Sequence, residues 1–251
     1  MNISSFAGFS LNGKDLVRLE LGGRTIWTKP PAYRYKMVEY LEFFGDGHVD
    51  TQFIQENVVG TAGFTMGLEL DYETQYDVTT QRVYVSGATD GTDYVGAFAY
   101  IQYQLAQSNN TAMLLNGQSS AMMYYPTLSA GRAYLYARIR PTYMRQEVVS
   151  GDGKLRIAEA AITGNVALGM PIYIGSCNGT DQRSLIGKIY NAWFGSYASS
   201  VNPITPTTRL ADMMPAVAAD GSVGMYDTLR DVFCRAYGTV TPGPETGEVV
   251  L

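Results

Sequence analysis

Apolar and polar residues alternate with a period of two along most of the chain, in short runs punctuated by Gly, Asn and Asp. In AYLYARIR, Ala133, Leu135, Ala137 and Ile139 fall on one face of an extended strand, and Tyr134, Tyr136, Arg138 and Arg140 on the other. In GFTMGLELDYE, Met66, Leu68, Leu70 and Tyr72 oppose Glu69, Asp71 and Glu73. MVEYLEF, HVDTQFI, QRVYVSG, DYVGAFAYIQYQ, PIYIGSC and LIGKIYNAWFG read as further strands. Turn chemistry lies between the runs, at Gly45-Asp46-Gly47, Asp90-Gly91, Asn116-Gly117, Gly151-Asp152-Gly153 and Asn178-Gly179. TTRLADMMPAV is the one stretch read as holding a helical turn, which Pro215 would end. Many short strands with such turns predict two packed antiparallel sheets, an all-β sandwich.

Residues 1–31 read as a separate small unit. Asn12-Gly13 and Gly22-Gly23 are hairpin dipeptides bracketing KDLVRLEL, and RTIW follows, so a three-stranded β-meander is expected. Strands this short bury little apolar area alone and need a partner surface. Leu16, Leu19 and Trp27 are the candidate docking residues, and Lys29-Pro30-Pro31 is a stiff connector to a main domain at 32–251.

Composition narrows the function. The net charge is −5, and Lys and Arg are scattered, so the electrostatic footprint of a nucleic-acid binder is missing. No apolar run is long enough to span a bilayer, and the first residues lack the pattern of a signal peptide. Nineteen Tyr and 27 Gly suit pleated surfaces and tight turns. Cys177 and Cys234 have no metal-ligand spacing and read as buried free thiols, with a disulfide as the alternative in an oxidising setting.

Two segments carry a family likeness. YLEFFGDGHVDTQF, with Tyr40, Glu42, Gly45 to Gly47 and Asp50-Thr51, resembles the opening strand pair of concanavalin A-like (laminin-G-type) jelly-roll domains of phage and prophage virion proteins. LIGKIYNAWFGS resembles their late strand. The segment after Pro215, with Gly224, Tyr226, Asp227 and Phe233, resembles their closing turn and aromatic strand. The likeness runs from about residue 35 to 244, departing at His48 and at the Phe43-Phe44 pair. It implies a two-sheet jelly roll that serves as head decoration, fibre or tail adhesin, assembled in the host cytoplasm. It also implies capsid or tail proteins as partners, a host-surface glycan as ligand and homo-oligomeric assembly, with no catalysis.

Several constellations bear on chemistry. Glu69, Asp71 and Glu73 alternate on one strand, as in retaining glucanases of this fold, whose outer carboxyls stand about 5 Å apart. The competing reading is plain amphipathic alternation with the three carboxylates in water. The distance in sequence of Trp27 and Trp193 from the motif favours that reading. His48 is the single histidine, and no Gly-x-Ser-x-Gly elbow is present, so a Ser-His-Asp triad is not expected. Asp46, Asp50, Asp90 and Asp93 lie near Gly-rich turns and offer oxygens to calcium, but no Asp-x-Asp-x-Asp loop exists and no metal site is assigned. Tyr134, Tyr136, Arg138 and Arg140 form a strip of aromatic area and forked donors, the leading ligand-binding candidate, which Tyr100, Tyr103, Tyr124 and Tyr125 would extend. An ordinary solvated or inter-subunit sheet face is the alternative for that strip. The functional expectation is a virion binding module; the alternatives are a glycoside hydrolase using Glu69, Asp71 and Glu73, or a bacterial surface carbohydrate-binding module at the cell exterior.

Overall fold

The computed structural model describes residues 10–11, 14–15, 18–21, 24–28, 34–54, 57, 63–72, 82–89, 94–102, 109–114, 131–140, 142–149, 151, 153–161, 171–176, 179, 184–196 and 208–250. All elements bounded within these residues are β-strands. They are β1 (Ser10–Leu11), β2 (Lys14–Asp15), β3 (Arg18–Leu21), β4 (Arg24–Thr28), β5 (Tyr35–Val38), β6 (Leu41–Phe44) and β7 (His48–Ile54). Next come β8 (Phe64–Tyr72), β9 (Arg82–Thr89), β10 (Tyr94–Gln102), β11 (Asn109–Leu114), β12 (Gly131–Arg140), β13 (Tyr143–Val149) and β14 (Leu155–Ala161). The last are β15 (Pro171–Ile174), β16 (Ile186–Gly195), β17 (Arg209–Ala218), β18 (Val223–Asp227), β19 (Val232–Tyr237), β20 (Val240–Pro242) and β21 (Glu245–Val250).

The strands form an antiparallel two-sheet jelly-roll sandwich, as the alternation predicts. The front sheet runs β14–β13–β12–β8–β16. The first half of β16 pairs with β6 and its second half with β17, which continues to β18 and β5. The back sheet runs β11–β10–β9–β15–β7–β19. Strand β19 belongs to both sheets: it pairs with β18 through Met225↔Cys234 and with β7 through Ala236↔Val49. β21 returns to β5, setting Val250 opposite Tyr35.

The core fills the space between the sheets. Met66, Leu68 and Leu70 of β8 and Ala133, Leu135, Ala137 and Ile139 of β12 are at most 1% exposed, as their alternation requires. They meet Val49, Phe53, Ile172 and Ile174 of the back sheet. Phe53 stacks on Phe194 across the sandwich at 4.8 Å. Each such large side chain contributes about 1.5–3 kcal/mol by leaving water.

The closing turn ties the sheets together. Asp227 is fully buried and accepts hydrogen bonds at Oδ1 from the backbone N–H groups of Asp212 (3.1 Å), Leu229 (3.0 Å) and Arg230 (3.3 Å). Its Oδ2 accepts from Arg230 Nε, while Arg230 Nη2 donates to the Thr51 carbonyl at 2.8 Å. The front-sheet turn is thereby fastened to β7. Cys234 is a buried free thiol donating to the same carbonyl at 3.2 Å, as the residue pattern predicts; Cys177 lies outside the described residues.

Two local expectations are corrected. MVEYLEF is two strands, broken at Glu39-Tyr40, where Glu39 N–H donates to the Pro244 carbonyl and the Tyr40 carbonyl accepts from Gly243 N–H. Within KDLVRLEL the described residues are β2, paired with β1, and β3, paired with β4. TTRLADMMPAV contributes a strand, β17. Pro215 is tolerated there because it falls between the end of pairing to β16 at Met213 and the start of pairing to β5 at Ala216, where a missing N–H breaks no ladder.

Candidate functional site

The outer face of the front sheet collects aromatic and charged side chains from four strands. β12 brings Arg132, Tyr134, Tyr136, Arg138 and Arg140, the alternation beginning one step earlier than the run AYLYARIR suggests. Across the ladder Tyr134 faces Glu69, Tyr136 faces Gly67 and Arg138 faces Thr65. On the far side of β8, Asn191 faces Glu69 and Trp193 faces Gly67. A register shift between Ile189 and Asn191 lets β16 present Tyr190 as well as Asn191 at the level of Glu69.

Glu69 is the hub. Its side chain is 8% exposed, so the reading that places it in water is corrected. Arg132 Nε donates to Oε1, and Asn191 Nδ2 donates to Oε2 at 2.6 Å. Interaction with this carboxylate, with partial burial, raises the Tyr134 phenol pKa and keeps it a donor. A buried carboxylate is stable only when its lone pairs are satisfied in this way. The cover comes from residues 63 and 122 positions away in sequence.

Around the hub the rings form an arc. The Arg132 guanidinium lies over Tyr190 at 4.0 Å, and Tyr40 meets Tyr190 edge-on at 5.7 Å. Lys188 lies over Tyr40 at 4.5 Å. Tyr134 and Tyr136 are parallel within 7° at 6.4 Å, and Tyr136 is 6.2 Å from Trp193, which carries Arg209 over its ring at 5.3 Å. Trp193 is therefore a neighbour of the Glu69 motif, and its sequence distance, used above against a sugar site, misleads. Burial raises the Tyr136 pKa, so this hydroxyl also stays protonated.

The predicted strip divides. Tyr134 is 38% exposed and Tyr136 half-buried, whereas Arg138 is 4% exposed with its guanidinium over the Tyr143 ring at 5.4 Å. Burial and the neighbouring Arg138 charge lower the Arg140 pKa. Beside them Arg145 bridges the fully buried Glu147 and the exposed Glu159. Hydrogen bonding by Tyr143, and Arg145 after it, lowers the Glu159 pKa. The outward chemistry thus sits at Arg132, Tyr134 and Tyr136, with Arg138 and Arg140 packed at one end. The missed members, Arg132, Tyr190, Asn191 and Trp193, carry no local motif; Arg132 alone was readable, by extending the alternation.

The remaining candidates separate. Asp71 is half-buried beside Lys188 and Arg132 in register, while Glu73 lies outside the described residues. Asp46 accepts from Thr239 N–H (3.2 Å) and Thr239 Oγ1 (2.7 Å), and Asp50 from Gln52 N–H (2.9 Å); Asp90 and Asp93 lie outside the described residues. Among the described residues no group of three or more His, Cys, Asp and Glu is placed to hold a metal. His48 is buried, stacked on Tyr237 at 5.4 Å and edge-on to Tyr173 at 5.5 Å. Tyr100 lies on β10 in the back sheet, away from the strip's sheet; Tyr103, Tyr124, Tyr125 and Leu16 lie outside the described residues. Leu19 and Trp27 are paired in register between β3 and β4. Among the described residues no helix is long and apolar enough to cross a membrane.

No family model and no curated protein matches the sequence. Among solved structures the chain is similar to tailspike protein 2 of Escherichia coli O157:H7 bacteriophage CAB120, at 12% identity and TM-score 0.43 over 56% of this chain and 20% of that one. It is similar to the CBM2 module of the evolved Dit of Lactobacillus casei BL23 phage J-1, at 12% identity and TM-score 0.38 over 56% of this chain and 64% of that one. Domains LG4-5 of the mouse laminin alpha1 chain align over 96% of this chain and 54% of theirs, at 13% identity and TM-score 0.43. The chain therefore spans less than two thirds of each of these proteins.

Proposed function

We propose that this protein is a non-catalytic glycan-binding module of a phage particle, contacting its ligand through Tyr134, Tyr136 and Arg132. One observation carries the binding reading: an exposed tyrosine, Tyr134, parallel to the half-buried Tyr136 and beside an arginine held by Glu69 on one side and Tyr190 on the other. Flat aromatic area beside pre-oriented forked donors suits a saccharide, whose ring faces are apolar and whose edges hydrogen-bond. Non-catalysis is inferred from Glu69, which is buried and held between Arg132 and Asn191. Virion placement rests on the family likeness of residues 40–53 and 185–196, and with it go capsid or tail partners and self-association. Leu16, Leu19 and Trp27 of the N-terminal unit would make the attachment.

Labelled protein mixed with candidate host cells tests this, before and after their surface polysaccharide is stripped. Saturable binding lost on stripping, and weakened at least tenfold by Tyr134→Ala, is expected. Absence of binding by a folded protein across hosts would leave a purely structural role. Deleting residues 1–31 should leave a folded domain that no longer joins particles; retained incorporation would remove the docking assignment.

A further inference from the structure

Resting on the glycan reading, we infer that this face selects an acidic saccharide, whose carboxylate is received by the outward edge of Arg132. The reasoning is an inventory of donors and acceptors. Glu69, the carboxylate at the centre, accepts from Arg132 at Oε1 and from Asn191 at Oε2. Both of its oxygens are thus already engaged by protein donors. Arg132 is in the opposite condition. A guanidinium carries five N–H donors, and the Arg132 side chain is 51% exposed with its single hydrogen bond to a described residue made through Nε. No hydrogen bond to a described residue engages its Nη donors.

A sugar hydroxyl both donates and accepts, so it is only half satisfied by such a surface. A carboxylate only accepts, and two parallel N–H bonds match its geometry. Stacking over Tyr190 at 4.0 Å and the bond to Glu69 hold the fork in one plane before the ligand arrives. Less side-chain entropy is then lost on binding. The surrounding charges nearly cancel: Lys188 stands opposite both Asp71 and Glu42, and Arg209 pairs with Asp212 at 2.9 Å. Selectivity therefore comes from the shape of the fork and not from a net positive field. Tyr134, next along the strand and exposed, supplies the ring against which the sugar body rests. Glu69 acts as a positioning residue, orienting Arg132 without touching the ligand.

The test uses the full chain and oligosaccharides bearing hexuronate or sialate residues, each paired with its carboxyl-reduced neutral form, in calorimetric titration. At least a tenfold preference for an acidic member over its reduced partner is expected. Arg132→Gln and Arg132→Lys should both abolish that preference, bringing the affinity for the acidic member down to that of its reduced partner, since lysine keeps the charge and loses the fork. Glu69→Gln should reduce the preference, with an unfolding midpoint that shows a folded protein. Equal affinity for acidic and reduced forms, or a preference surviving in Arg132→Gln, would overturn the inference and leave the glycan reading standing. Binding to no member of any pair would overturn both.

Discussion

Gly67 and Trp193 stand opposite each other across the β8–β16 ladder, and the indole lies over the position that a Cβ at residue 67 would fill. The absence of a side chain at Gly67 lets the ring lie against the sheet and leaves it only 6% exposed, with Tyr136 at its edge. The flat floor of the aromatic arc is thus made by a missing methyl group.

Gly67→Ala is therefore expected to lift the indole and destabilise the protein by about 1–3 kcal/mol, the usual range for overpacking. A red-shifted Trp193 emission in a Trp27→Phe background, with a lower urea midpoint, would show it. An unchanged spectrum would mean that the ring is not seated on the glycine.

Gln146 points into the core from β13, opposite Ala137, is fully buried, and finds no hydrogen-bond partner for either amide atom among the described residues. Gln146→Met has nearly the same volume and removes both polar atoms. It should raise stability by about 1–3 kcal/mol, the desolvation penalty of such a group. Loss of stability on urea titration would reveal a partner for the amide.

Asp227 and Arg230 fasten the closing turn to β7. Asp227→Ala leaves three backbone N–H groups and a guanidinium without their acceptor, and should cost about 3–5 kcal/mol. Adding Arg230→Ala should cost less than the two single changes summed, and a double-mutant cycle in denaturant measures the coupling.

Burial pushes the Cys234 thiol up to about 12 from its ordinary 9.0, the nearby Arg230 lowering it only in part. The folded state thus holds the thiol proton where the unfolded chain releases it. The stabilising contribution is complete below pH 9.0 and is lost between pH 9.0 and about 12, at about 1.4 kcal/mol per pH unit. Cys234→Ala should flatten the alkaline limb of the stability curve, and native Cys234 should resist alkylation at pH 8 until urea unfolds the chain. Equal alkaline slopes for the two proteins would contradict the burial argument.

How much of this was legible in the sequence depended on distance along the chain. Alternation in residues 133–140 correctly assigned Ala133, Leu135, Ala137 and Ile139 to the core, because a strand's two faces are set by neighbouring residues. Glu69 obeyed the same rule, yet was not in water, because Arg132 and Asn191 arrive from other strands to cover it. Register between distant strands is what gathers Trp193, Tyr190 and Asn191 around Glu69, and no window of the sequence contains it. Pro215 misled for the opposite reason: its local meaning as a helix breaker is sound, but its place in a sheet depended on where two partner strands hand over.

The return of β21 to β5 sets Val250 opposite Tyr35 and Glu245 opposite Val38. The sandwich therefore begins and finishes on adjacent strands, like a pendant hung from one point. A pull applied at both ends would load this single ladder first. The same closeness puts the two ends of residues 35–250 side by side, the geometry that insertion into a surface loop of another protein requires.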